Sequence, residues 1–199
     1  MSLSEKDGAA LVKTARAAVT EYLKSGKRLT LSENFRSEFS YNSGVFVTLY
    51  KVEDLRGCIG FPTPERKLYQ SLVDAAIASA TEDPRFPPIR YEELSDISFE
   101  VTVLTPPEEI NVENTSEYPN RIMVGRDGLI IIWEFGSGLL LPQVPVEYGW
   151  NEEEFLNHTC EKAGAPLDCW KCKSTKILRF EGIVFKEASP NGNIVRVQL

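Results

Sequence analysis

Apolar and polar positions alternate most cleanly over residues 97–104, where Ile97, Phe99, Val101 and Val103 are separated by Ser98, Glu100 and Thr102. A period of two is that of an extended chain with one buried face, so this segment is predicted to be a strand. Gly44–Tyr50 is a nearly continuous apolar and β-branched run, which predicts a buried strand, and Leu55–Gly60 continues it as a hairpin. Helical spacing shows first in Leu11, Ala15, Ala18, Val19 and Tyr22. Ser4 with Asp7 three residues on resembles a capping box, and Gly26 is a fitting stop. Thr63 and Pro64 predict the start of a second helix, with Leu68, Leu72, Ala75, Ala76 and Ser79 as its buried stripe and the proline-rich 83–88 as its end.

Residues 105–121 are rich in Pro, Asn and Glu and show little periodicity. They read as a long connection and are assigned to a small second lobe. Ile122–Val124 and Leu129–Trp133 predict two strands about a turn at 125–128. A further turn over Gly136–Gly138 precedes a short strand, Leu139–Leu141, which Pro142 ends. Asn151 and Glu154 cap a third helix that Gly164 closes, and the tail from Thr175 folds as a hairpin about Ser189–Asn193. Strands mixed with about three spaced helices predict an α+β fold with a mostly antiparallel sheet. Length makes 1–199 a single domain, built as two lobes sharing a core.

Composition narrows the setting. Hydrophobic residues at 42% and charged residues at 26% are the ordinary globular mix, and no apolar run reaches the eighteen residues that a membrane-spanning helix needs. Met1–Asp7 lacks the basic and then apolar stretches of a signal peptide, so the expectation is a cytoplasmic protein with its four cysteines reduced. A net charge of −7 opposes non-specific nucleic-acid binding. The best local basic patch is Lys171, Lys173, Lys176 and Arg179, with Trp170 and Phe180 as candidate stacking rings. Nucleic-acid association is therefore the weakest of the function readings.

The candidate chemistry centres on Leu55-Arg56-Gly57-Cys58-Ile59-Gly60. In an extended segment Arg56 and Cys58 share a face, and a guanidinium beside a thiol favours the thiolate. Gly57 and Gly60 would leave backbone N–H groups open to a ligand. The competing reading makes Cys58 a small core residue, gives the glycines to a bend and pairs Arg56 with a carboxylate. His158 is the only histidine, on the charged face of its helix, so a Cys–His pair with Cys58 is improbable. Glu100, Asp83 or Glu82 would have to serve as base. His158, Cys160, Cys169 and Cys172 are the right types for zinc, but helix positions two apart point away from each other, so no metal is expected. Arg85 and Gln143 are suited to fixing acids and amides. No P-loop, GxGxxG or HExxH is present, and no cofactor is expected.

The hexapeptide Leu55–Gly60 resembles the signature of the AMMECR-one domain family. Asp83-Pro84-Arg85-Phe86, Phe99–Leu104, Gly138–Val144 and Lys162-Ala163-Gly164 follow in order and also resemble family segments. The resemblance runs over nearly the whole chain. It implies an α+β fold with a larger and a smaller subdomain, an archaeal-type stand-alone protein, and association with a Memo-type protein and a radical S-adenosylmethionine protein. It implies no activity, and it assigns no role to Cys169 or Cys172. Two function classes follow. The first is a binding or accessory module recognising a small molecule or partner protein through a groove near Arg56, Gly57, Cys58, Gly60, Arg85, Glu100 and Gln143. The second is an enzyme with Cys58 as nucleophile in a modification pathway.

Overall fold

The structure, a computed structural model, describes residues 3–197. The described chain divides into two compact units, one comprising residues 3–104 and 183–197, the other Thr105–Gly182.

The first unit opens with α1 (Glu5–Ser25), capped by the reciprocal Ser4–Asp7 hydrogen bonds and closed by Gly26 at φ 70°. Its stripe of Leu11, Val12, Ala15, Ala18 and Val19 is buried. The predicted polar loop after it holds a further helix, α2 (Glu33–Glu38), capped by Ser32. Six residues with no buried side chain carry no periodicity, and the cap was its only signal. β1 (Val45–Lys51) and β2 (Asp54–Phe61) form the expected antiparallel hairpin. α3 (Leu68–Thr81) starts later than Thr63 and Pro64 predict. Lys67 is held in a bridge to Asn42, and the first helical N–H groups are taken by the Tyr41 and Phe39 carbonyls instead of by a side-chain cap. β3 (Ile97–Leu104) pairs with β1, and Ile97, Phe99, Val101 and Val103 are wholly buried. α1 and α3 pack on this sheet. Each large side chain so buried contributes about 1.5–3 kcal/mol.

In the second unit, residues 105–121 hold a two-residue strand, β4 (Glu108–Glu109), and a 3-10 turn over Thr115–Arg121 capped by Asn114. β5 (Asp127–Trp133) pairs with β6 (Gly136–Leu140). The expected strand at Ile122–Val124 is absent: the Met123 N–H donates to the Asp127 carboxylate and the Met123 carbonyl takes the Asp127 N–H, which closes a tight loop. The turn before β6 is Glu134-Phe135, with Gly136 and Gly138 inside the strand. A Cβ at Gly138 would lie 2.3 Å from the Ala163 nitrogen, so the glycine permits close packing of backbone on backbone. α4 (Gln143–Tyr148) was not legible, whereas α5 (Glu152–Lys162) has the predicted Asn151–Glu154 capping box. β7 (Lys176–Glu187) pairs with β4 and β5 through its first half, which gives the order β4–β7–β5–β6. Its last residues belong to the first unit and pair with β8 (Ile194–Val197) as the predicted closing hairpin.

The fold is α+β with an antiparallel sheet and three longer helices. Each unit has a core cluster of its own. No helix among the described residues is long and apolar enough to cross a membrane.

Candidate functional site

The register of β1 sets Thr48 opposite Cys58 on one side and opposite Glu100 on the other. Cys58, Thr48 and Glu100 therefore form a cross-strand row on one face of the sheet. The opposite face carries Val47, Leu49, Phe99 and Val101 into the core. The Cys58 Sγ and Thr48 Oγ1 are 3.2 Å apart and share a hydrogen bond. Glu100 and Cys58 are half-buried, and Ser98 and Thr102 beside Glu100 are buried. The even positions of β3, which alternation alone would leave in water, are thus largely covered as well.

Cys58 is held from the side by Asp83-Pro84-Arg85. Its N–H donates to Asp83 Oδ2 at 2.8 Å, and its carbonyl accepts from Arg85 Nη2 at 3.2 Å. Arg85 closes the clamp by a two-point contact on the same carboxylate, Nε to Oδ1 at 2.9 Å and Nη2 to Oδ2 at 2.7 Å. β2 ends the order β2–β1–β3, and here two side chains replace the missing neighbouring strand. The Arg85 guanidinium holds the Asp83 carboxyl well below the usual carboxylate range, helped by the Cys58 and Arg85 N–H groups and opposed by burial. The Arg85 side chain remains 53% exposed.

Arg56 is not held beside the thiol, and the surroundings of Cys58 favour its protonated form. Burial pushes the Cys58 thiol up from its ordinary value; the Thr48 hydrogen bond and Arg85 offset this in part, while Glu100 and Asp83 add to it. Arg56 turns elsewhere, donating to the Pro87 carbonyl and meeting Glu93 at 3.4 Å, with only 14% of its side chain exposed. A shift in register between Leu49 and Tyr50 breaks the simple alternation that put Arg56 beside the thiol. Burial also raises the Glu100 carboxyl, opposed by Lys186.

The two glycines serve packing. A Cβ at Gly57 would come within 2.1 Å of the Ser79 carbonyl oxygen, and one at Gly60 within 2.3 Å of the Phe46 ring. They let α3 and a side chain of β1 approach β2, and Gly57 is buried, so its N–H is not open to a ligand. Thr48 was the missed member of the site; aligning the hairpin register would have found it.

Gln143 belongs to the second unit, at the start of α4, and its buried Oε1 has no hydrogen-bond partner among the described residues. His158 lies in that unit too, stacked on Trp150 at 3.9 Å and bonded to Glu161. Cys160 and Cys169 form a disulfide, with Cα atoms 6.0 Å apart, where reduced thiols were expected. Cys160 comes from the buried face of α5 and Cys169 from a 3-10 turn, and both sulfurs are withdrawn from ligation. Among the described residues no three His, Cys, Asp or Glu side chains are placed to hold a metal. The basic patch lacks its rings: Trp170 is buried with Nε1 on Asn157, Phe180 is buried, and Lys171, Lys176 and Arg179 each face a glutamate.

The AMMECR1 family model matches residues 12–185. A protein of Methanothermobacter thermautotrophicus is 51% identical over 185 residues, covering 93% of this chain and 96% of the relative. One of Methanocaldococcus jannaschii is 48% identical over 199 residues, covering 99% and 98%. The crystal structure of an uncharacterised protein from Pyrococcus horikoshii matches with a TM-score of 0.88 at 49% identity, covering 99% of each chain.

Proposed function

Since the chain belongs to the AMMECR1 family, whose relatives bring no named activity with them, we propose that it is a binding or accessory module recognising a small molecule or partner protein on the face around Cys58. The observation that carries this is the Cys58–Thr48–Glu100 row, in which burial favours the protonated form of both ionisable groups. A neutral thiol and a carboxyl held toward its neutral form are hydrogen-bonding groups of fixed geometry. A thiol held in its protonated form is a poor nucleophile. The clamp at Asp83 and Arg85 fixes the backbone of Cys58 and so fixes the row. Arg85, its side chain 53% exposed, adds a cation at the margin. The enzyme reading would need a carboxylate as base for Cys58, and Glu100 is the one in the row.

A Memo-type protein and a radical S-adenosylmethionine protein, the partners implied by the family resemblance, are the natural baits. Capture of either, or of a small molecule from native lysate, is expected to survive Cys58→Ser and to be lost in Glu100→Leu, read by mass spectrometry of bound species. A turnover that Cys58→Ser eliminates in a folded protein would establish the enzyme instead.

A further inference from the structure

The second unit carries a cleft of about 540 Å³ whose lining residues all belong to that unit. Leu140 and Val144 give it apolar lining. Its distinctive part is a column of three rings. Tyr148 stacks on Trp150 at 4.9 Å, and Trp150 stacks on His158 at 3.9 Å, both pairs 16° from parallel. The chain builds the column by ending α4 at Tyr148, turning at Gly149 with φ 68°, and setting Trp150 just before α5, whose His158 completes it. Tyr148 at its end is 69% exposed.

The hydrogen-bonding groups around the rings are nearly all donors. His158 Nδ1 lies 3.0 Å from Glu161 Oε2, which occupies the one acid lining the cleft. Among the described residues, the Tyr148 hydroxyl, the Trp150 indole N–H and the Lys162 ammonium have no protein partner, whereas Trp133 and Trp170 both use theirs. Lys162 sits four residues after His158, on the same face of α5. A flat π surface with a free cation and free donors suits a planar ring that bears an anion. The volume is that of a small-molecule site.

We propose that this cleft binds a mononucleotide, with the base stacked on the Tyr148–Trp150–His158 column and the phosphate on Lys162. A flat cation fits less well, because parallel rings do not form a cage and Lys162 stands at the site. A nucleic-acid strand fits less well too. A net charge of −7 opposes its further phosphates, whereas one phosphate needs one lysine.

The test is quenching of tryptophan fluorescence by AMP, with adenosine and a ten-residue oligothymidylate as comparisons. Saturable quenching by AMP is expected. Tyr148→Ala should weaken it about tenfold, the scale of losing one base–aromatic stack. Lys162→Met should weaken AMP about fivefold and leave adenosine unchanged. Both side chains are exposed, so circular dichroism should show both variants folded. No saturation by about 10 mM AMP, an affinity indifferent to Tyr148→Ala, or tighter binding of the oligothymidylate than of AMP would each overturn the proposal.

Discussion

Val101→Asp is expected to leave less than about a tenth of the chain in the soluble fraction, because the substitution puts a carboxylate where nothing can pair with it. Val101 is 0% exposed, at the middle of β3, opposite Val47 of β1. An unpaired buried charge costs several kcal/mol, a large part of the ~5–15 kcal/mol by which a domain is stable. The neighbouring Glu100→Gln, on the other face of the same strand, should leave expression unchanged. Val101→Asp tests register, since a slip of one residue would move the aspartate off the core face and leave the variant soluble. A soluble, cooperatively unfolding Val101→Asp protein would contradict the placement of β3.

Glu187→Ala should destabilise the protein by about 3–5 kcal/mol in urea unfolding, the range for removing one partner of a buried pair. Glu187, 3% exposed, accepts from Arg16 Nε at 2.7 Å and also from the Phe99 N–H at 3.1 Å. Arg16 in turn donates to the Leu94 and Ile97 carbonyls and lies over the Phe99 ring. The knot ties α1, β3 and the end of β7 together. Arg16→Met/Glu187→Met should recover only part of the loss, because apolar replacements remove the stranded charge but leave those carbonyls without their donor. A single-variant change below about 1 kcal/mol would show that the pair is dispensable.

What was legible in the sequence follows from the range of each signal. α1 and α5 announce themselves because caps and helical spacing are local, and β3 because alternation needs only eight residues. α2 and α4 are six residues each, too short for a period to repeat. The glycines of β6 read as a turn because the reason for them, the backbone of Ala163, lies 25 residues beyond Gly138. The Arg16–Glu187 pair spans 171 residues and left no local trace. At the candidate site, residue type and alternation pointed to Cys58, Arg85 and Glu100. The assignment of Arg56 to the thiol failed at the register shift in the β1–β2 hairpin. Arg85 could be tied to Cys58 only once Asp83 was seen to bridge them.

The central claim is that Cys58 presents a neutral thiol in a recognition face. Cys58 and Cys172 are the free cysteines, so Cys172→Ser isolates Cys58 with the Cys160–Cys169 disulfide intact. The rate of alkylation by iodoacetamide against pH then reports the thiol directly. Burial raises the thiol, so the thiolate should appear only above the ordinary midpoint of about 8.5, with the rate at pH 7 below that of free cysteine and unchanged by Arg56→Ala. A midpoint below about 7.5 that climbs when Arg56 is removed would mean a populated thiolate at neutral pH, and the recognition account would give way to a nucleophile.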